Sequence, residues 1–581
     1  MGVSDFPMRW DQQFDVLVIG SGAGGMTAAL ACQARGLSVA VLEKTSQYGG
    51  TSAVSGGGIW IPCNDQMAAV GIPDTRAEAL RYLDHLIGDQ VAADRLEAYV
   101  DSAREMVRHL EHDFGVRFRS VAKYPDYFPD QPGGKPGART MEPAAFDAAK
   151  LGPEFERQRE PYKGTLVLGR VAMDQVEAHT LFGRAPGWIR LTLKLMWNYW
   201  TDFSWRRRSW RDRRLVLGQG LVGALRHAML QQQIPLLYDT ALESLIEDGG
   251  RVRGVTVTQN GRSLRFGARR AVILASGGFE SNQAMRDRYL PQPSRAEWSA
   301  APGINTGDGI EAGLKLGAGL RFMNMVWGTP TVVVPGTTVA AALFVERSLP
   351  GCVMVNQRGQ RFCNEAAPYT EAVNAIYADQ ARTGSSVPCW LIFDARFRQN
   401  YPCGPLLPGS IVPDKKLPAD WAGRVYYKAD TLAALAAQIG VDGSTLAKTV
   451  ERLNAQAATG VDTDYNKGGN VFERYYADPK IGPNPCLAPL VKGPFYAMPV
   501  TPGEIGTKGG LDADAKARVL RADGSVIEGL YAIGNTSAAA MGRTYPGPGA
   551  TLGPAMTFGY IAARDIAQAA ARGEVPAAVA A

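Results

Sequence analysis

Three glycines, Gly20, Gly22 and Gly25, and an acid at Glu43 are the first residues whose types and spacing could do chemistry. A GxGxxG run offers backbone amides with no side chains in the way: one glycine makes the tight turn, one admits a diphosphate, and one lets helix pack on strand. Ser21 and Ala23 fill that turn, and an acid about 20 residues further on can accept hydrogen bonds from ribose hydroxyls. The chemistry is the grip on a nucleotide cofactor. It requires a buried parallel strand before the glycines, which 14–19 (FDVLVI) supplies, a helix after them over about 24–35, and a second strand over 38–42 that delivers Glu43. The start of such a helix carries unpaired N–H groups and the positive end of the helix dipole, both suited to a diphosphate.

The residues that follow favour FAD over NAD. Lys44 leads into Gly50, Thr51 and Ser52, and then into Gly57 and Gly58. Small residues let the backbone pass close to a large planar ring, and hydroxyls can bond phosphate or ribityl oxygens; the competing reading is a flexible surface loop. Two distant segments weigh against that alternative. A strand over 270–275 ends at Ala275, beside Gly277, and a shorter one over 529–533 ends at Gly534-Asn535, whose amide could reach a ribityl chain. Leu552 and Gly553 then open a last helix, whose N–H groups would face the flavin edge that gains negative charge on reduction. Stretches 241–246, carrying Leu242, 253–259 and 263–266 read as a small β-meander on the adenine side.

Composition narrows the alternatives. The chain has 581 residues, 46% hydrophobic, with a net charge of +6, too dilute over that length to argue for nucleic acid. Seven scattered cysteines form no CxxC pair, so neither a disulfide framework nor a metal site is expected, and a reducing compartment is the default. Residues 1–13 lack the apolar core of a secretory signal, and no apolar run is long enough to span a bilayer.

Taken together, the four nucleotide segments make the chain resemble the flavoprotein family of fumarate reductase, succinate dehydrogenase flavoprotein and the 3-ketosteroid dehydrogenases. The nearest likeness is to the 3-ketosteroid Δ1-dehydrogenases. It is carried by three tyrosine contexts, Tyr124-Pro125-Asp126-Tyr127, Asn364-Glu365-Ala366-Ala367-Pro368-Tyr369 and Tyr545-Pro546-Gly547-Pro548-Gly549, and by the 505–511 run IGTKGGL. The resemblance implies an α/β fold: a Rossmann-type FAD-binding domain built from both chain ends, 1–285 and 490–581, with an inserted α+β catalytic domain over 286–489. It implies non-covalent FAD, since Gly49–Ala53 contains no histidine for covalent attachment, and none of the five histidines lies in 286–489 to clamp a dicarboxylate.

The resemblance also implies roles. Tyr545 O–H and the Gly549 N–H would grip the C3 ketone oxygen, Tyr369 would take a proton from C2, Tyr127 would relay it, and hydride would pass from C1 to flavin N5. That would convert a 3-keto-4-ene steroid to a 1,4-diene-3-one. Tyrosine has a pKa of about 10, so Tyr369 serves only if its site favours the anion, for example through a hydrogen bond from Tyr127. Judged without the resemblance, each tyrosine also reads as a packing residue. Two other functions stay open: Δ4-(5α)-dehydrogenation of the same substrates, and a membrane-docking flavoprotein subunit that passes electrons to a partner.

One region departs from compact relatives, a basic aromatic insertion over about 183–216. Trp188, Trp197, Trp200, Trp205 and Trp210 stand there among Arg206, Arg207, Arg208 and other cations. Eight Arg or Lys against two aspartates over 188–214 give a local charge of +6. Tryptophan with arginine suits a lipid headgroup layer, and an oligomer interface or a solvated basic face fits as well. The expected location is therefore the cytoplasmic side, peripherally associated with membrane. No second dinucleotide fingerprint follows, so electrons are expected to leave to an external acceptor such as a quinone.

Overall fold

The structure, a computed structural model, describes residues 9–572. Its centre is a parallel array in which Val526–Ala532, Arg262–Leu274, Gln12–Ile19, Val39–Leu42 and Leu236–Leu237 lie side by side in that order. The array is covered on both faces, which explains why its strands are apolar without alternation. Val16, Val18, Val41 and Ile273 enter one core, while Leu17, Ile19, Leu42 and Leu274 enter the other.

The meander exists as Thr240–Asp248, Arg251–Gln259 and Arg262–Leu274. Its third strand does not stop where the local pattern suggests. It runs on as the central strand that ends at Leu274, just before Ala275, so one strand of 13 residues serves the antiparallel ribbon and the parallel sheet in turn.

The two ends of the chain meet at a pair of helices, Ala23–Gln33 and Leu552–Ala571. Small residues bring them together: a Cβ on Gly24 would lie 2.9 Å from the Ala555 carbonyl oxygen, and one on Gly559 would lie 2.8 Å from that of Gly24. This contact is how residues from both ends come to share one cofactor crevice.

A second sheet orders Ala341–Ala342, Val326–Val332, Phe495–Thr507, Cys389–Asp394 and Cys352–Val355, with Tyr427–Ala429 also paired to Phe495–Thr507. The sequence assigns 490–581 to the nucleotide-binding half. Strand pairing instead ties Phe495–Thr507 to the second sheet, because its partners Val326–Val332 and Cys389–Asp394 lie within 286–489.

The basic aromatic insertion is an excursion closed at its base by the antiparallel pair Phe146–Asp147 and Arg214–Leu215, so it begins earlier than residue 183. Within it the helix Trp188–Thr201 turns Leu195 and Tyr199 inward against Val171 and Met173. Among the described residues no helix is long and apolar enough to cross a membrane.

Arg286 on the helix Gln283–Tyr289 and Glu504 on Phe495–Thr507 join the two sheets through a bidentate pair at 2.8 and 3.0 Å, both side chains 1% exposed. Removing one partner leaves a buried charge alone. Arg286→Met should therefore cost about 3–5 kcal/mol, read as an earlier midpoint in denaturant unfolding.

Candidate active site

The nucleotide crevice starts where Gly20 leaves its strand with φ +111°, and a Cβ there would sit 2.4 Å from the Ala275 carbonyl oxygen. A Cβ on Gly25 would lie 2.2 Å from the Gly20 oxygen, whereas Gly22 faces only Ser52 Oγ, at 3.4 Å. The helix that follows has no side-chain cap, and the Ala23 N–H donates to Ser52 Oγ at 3.0 Å. Glu43 is buried and accepts from Ser21 Oγ at 2.5 Å and from the Thr45 N–H at 3.0 Å, so the acid is held at the strand end beside the turn.

Most of the expected cofactor residues converge on this crevice. Gly57 must be a glycine, since a Cβ would lie 2.2 Å from the carbonyl carbon of Leu217, and Gly58 lies beside Thr140. Gly50 has φ +51° and open space around it, and Thr51 Oγ1 accepts from Asn305 Nδ2 at 2.9 Å. Gly277, with φ +80°, backs onto Asn305, and its carbonyl accepts from Thr536 Oγ1 at 3.0 Å. Gly534 adjoins Ala555 at the start of the last helix, where Leu552 and Gly553 lie; a Cβ on Gly553 would meet the Trp60 oxygen at 2.8 Å. Leu242 lies on the meander strand whose first residue, Thr240, donates its N–H to the Glu43 carbonyl at 2.9 Å.

Two of the expected side chains have protein partners. Lys44 turns its ammonium to Asp308 and Thr306, at 2.8 Å each. Asn535 Oδ1 accepts from Trp327 Nε1 at 3.1 Å, which leaves its amide nitrogen to face the crevice side near Gly506.

The crevice fits FAD on an observation of its own. Glu280 Oε2, Tyr162 Oη and Arg159 Nε are buried without hydrogen-bond partners. Arg159 feels Glu43, and Tyr162 feels both Arg159 and Glu280, so the three unpaired groups ring one region. Burial raises the Glu280 carboxyl to about 7. Unpaired buried polar atoms are rare without a ligand to meet them. Sequence reasoning missed all three: Glu280 directly follows the glycine turn, a usable signal, but nothing local marks 159 or 162.

Three tyrosines from distant segments form the second part of the site. Tyr127 O–H donates to the Tyr369 hydroxyl at 3.0 Å, and the rings of Tyr127, Tyr369 and Tyr545 meet pairwise with centroids 5.1 to 5.6 Å apart. Trp327 and Phe472 pack around them, with Phe344 on the more open side of Tyr369. The Thr551 hydroxyl donates to the Tyr545 hydroxyl oxygen at 3.2 Å, and Gly549 lies in the turn between the two.

Each tyrosine is fixed from behind. Tyr369 opens the helix Tyr369–Thr383 directly after Pro368, and Glu365 before it is locked bidentately by Arg361 at 2.9 and 2.8 Å. The Tyr127 N–H donates to the Pro546 carbonyl at 3.0 Å, and Tyr82 O–H donates to the same oxygen at 2.6 Å. Asp126 accepts from Trp60 Nε1 at 2.7 Å and pairs with the wholly buried Arg139 at 2.8 Å. The electrostatics differ from the sequence expectation. Burial pushes Tyr369 and Tyr127 well above the usual tyrosine range, and for Tyr369 the Tyr127 hydrogen bond pulls only partly the other way. The resting pair is neutral.

The expected membrane residues divide. Trp197 (71% exposed), Trp200 and Trp210 are exposed, along with Ile189, Leu193 and Phe203, while Trp188 is half-buried beside Arg184. Trp205 is a correction: at 4% exposure it packs edge-on against Phe155 and donates its N–H to the Arg211 carbonyl. Arg206 also turns inward, its guanidinium 3.9 Å from the Tyr199 ring centroid. Arg208 reaches back to the Gly152 carbonyl at 2.6 Å, leaving Arg207 as the exposed cation of the three without such a contact.

The sequence matches the family described as FAD binding domain over residues 15–552. It is 43% identical over 572 residues to the 3-oxosteroid 1-dehydrogenase of Mycolicibacterium smegmatis, covering 96% of this chain and 98% of that one. Among solved structures, the 3-ketosteroid delta1-dehydrogenase of Sterolibacterium denitrificans, in complex with 1,4-androstadiene-3,17-dione, is 51% identical, with a TM-score of 0.94 over 96% of this chain and 100% of that one. The 3-ketosteroid-delta4-(5alpha)-dehydrogenase of Rhodococcus jostii shares the fold, at 21% identity and a TM-score of 0.64 over 97% of this chain and 99% of that one.

The crevice geometry gives a direct test. Gly25→Ala places a methyl on the Gly20 carbonyl, so the turn must open and FAD retention should fall. The purified variant should lose its flavin absorbance on gel filtration while keeping its far-UV circular dichroism.

Proposed function

The chain belongs to the FAD binding domain family and, within it, to the 3-oxosteroid 1-dehydrogenases, and on that premise we propose that it desaturates C1–C2 of a 3-ketosteroid, converting a 3-keto-4-ene to a 1,4-diene-3-one. The observation that carries this reading is the convergence of Tyr127, Tyr369 and Tyr545 beside the turn in which Gly549 packs on Gly58. FAD, when bound, supplies the two-electron acceptor for the hydride that leaves C1.

The chain's own residues do the rest. A C–H bond beside a ketone becomes acidic only as charge moves onto the oxygen, so donors must be fixed in place before the proton leaves. Tyr545 O–H and Gly549 N–H are those donors, aimed at the C3 oxygen. Tyr369 then takes the proton from C2, and the Tyr127 hydroxyl stabilises the phenolate form of Tyr369 by donating to it. Tyr369 also interacts with Tyr545 in the resting site, so substrate must part the two before it can be gripped. The aromatic walls exclude water and suit a rigid apolar substrate.

The exposed face of Trp188–Thr201 supports a second part of the proposal, docking on a lipid surface. Ile189, Leu193, Trp197 and Trp200 follow helical spacing on one side, and Phe203 and Trp210 extend the patch. Apolar rings with Arg190, Lys194 and Arg207 nearby match the interface of an anionic bilayer, where sterols and quinone-like acceptors dissolve. Replacing Leu193, Trp197 and Phe203 together by serine should abolish co-sedimentation with anionic liposomes and leave turnover of dissolved steroid unchanged. Undiminished co-sedimentation defeats the docking proposal.

For the reaction, adding a 3-keto-4-ene steroid without acceptor should bleach the flavin and give a product two mass units lighter, with its new double bond at C1–C2. A C4–C5 double bond formed from a saturated 3-ketosteroid, with C1–C2 left saturated, would favour the Δ4 reading instead. Tyr369→Phe should keep FAD and lose turnover by about 100-fold or more. Because the active base is the phenolate and burial raises its pKa, kcat/KM should climb with pH through the neutral and alkaline range. Tyr127→Phe should move that rise to higher pH, since the donor that favours the phenolate is gone; a pH–rate profile reads both.

A further inference from the structure

The 505–511 run contains a lysine that no step above uses. Lys508 follows the strand Phe495–Thr507 and is pinned on both sides, its N–H donating to the Met325 carbonyl at 2.9 Å and its carbonyl accepting from the Ala539 N–H at 3.0 Å. Its side chain goes into the protein, 1% exposed, a placement rare for lysine. Among the described residues no carboxylate pairs with it, and Glu371 acts on it only at a distance.

An ammonium has three donors and no acceptor. Here three successive carbonyls take them: Arg543 at 2.7 Å, Thr544 at 2.6 Å and Gly542 at 3.4 Å. Those three residues lead directly into Tyr545. On its other side the ammonium lies 4.3 Å from the centroid of the Trp327 ring, and Trp327 packs edge-on against Tyr545 with centroids 4.8 Å apart. Burial lowers Lys508 to about 7, and in its protonated form the side chain holds both the backbone before Tyr545 and the ring beside it. A methyl-ended chain of the same length could fill the space, but it could not bind three carbonyls.

We propose that Lys508 is the positioning residue of the ketone-gripping pair: by clamping the carbonyls of Gly542, Arg543 and Thr544 and backing Trp327, it fixes the turn so that Tyr545 O–H and Gly549 N–H converge on one oxygen. This rests on the reading of Tyr545 and Gly549 as the ketone site. Lys508 touches no reacting atom in this role, and its effect passes through Tyr545. A displacement of reactive groups by about 1 Å is enough to cost 100-fold in rate.

The test uses the FAD-loaded enzyme with bound 1,4-diene-3-one product, whose C=O stretch, read by infrared difference spectroscopy, reports the grip on the ketone. In the wild type the band should lie below its position in solution, and Tyr545→Phe, as a control, should move it back. Lys508→Met should move it in the same direction, lower kcat by about 100-fold and change KM much less, with the flavin spectrum retained. A role in folding alone would not move the band of the folded, flavin-loaded fraction. Lys508→Gln, which keeps donors but loses charge and reach, serves as the second variant if Lys508→Met yields no holoenzyme, and it should give a smaller shift in the same direction. A wild-type band and wild-type kcat in either variant overturn the inference. If the wild type neither desaturates the steroid nor shifts its carbonyl band, the functional reading itself fails, a result distinct from failure of Lys508 alone.

Discussion

Gly549 approaches the Gly58 backbone so closely that a Cβ on it would lie 2.6 Å from the Gly58 carbonyl carbon and oxygen, and it does so with φ +93°. That contact sets the distance between the tyrosine turn and the loop that lines the cofactor crevice. Everything else in the site is arranged around it. Thr140 Oγ1 holds the Pro548 carbonyl at 2.9 Å, the Pro546 carbonyl is held by Tyr127 and Tyr82, and Gly547 leaves room for the Trp60 indole. A turn with two prolines has few N–H groups to lose, so its carbonyls can be spent entirely on neighbours.

The tyrosines illustrate how burial and reactivity oppose each other. A phenol surrounded by aromatic rings is cheap to bury and hard to ionise, because taking its anion out of water costs far more than taking out the neutral hydroxyl. The cluster around Tyr369 has the first property in full. What it offers the anion is a neutral donor, the Tyr127 hydroxyl at 3.0 Å.

Much of this was legible in the sequence where backbone geometry leaves only one residue type possible. The glycines at 20, 25 and 57 are required by contacts of 2.2 to 2.4 Å that any side chain would break, and their spacing announces the crevice. The tyrosine turn was readable for the same reason. Pairing between remote strands was not: Phe495–Thr507 has the pattern of a buried strand, but nothing in it says which of two sheets it joins. Side-chain direction in the insertion was equally hidden. Trp205 and Trp197 look alike in a basic stretch, and only the packing of Phe155 against Trp205 separates the one that is core from the one that meets solvent. Lys508 gave a residue type and a motif, but its partners lie three dozen positions away in the chain and have no side-chain signature, since they are carbonyls.

The pairing of Ala23–Gln33 with Leu552–Ala571 has a consequence for how the molecule comes into being. The small-residue face of the first helix, Gly24 and Ala28, is completed by Ala555 and Gly559 from the far end of the polypeptide. On a translating ribosome that face stays uncovered until the helix Leu552–Ala571 has been made. The grip on the cofactor therefore depends on two segments made far apart in time, the first of which cannot be completed before the second has emerged.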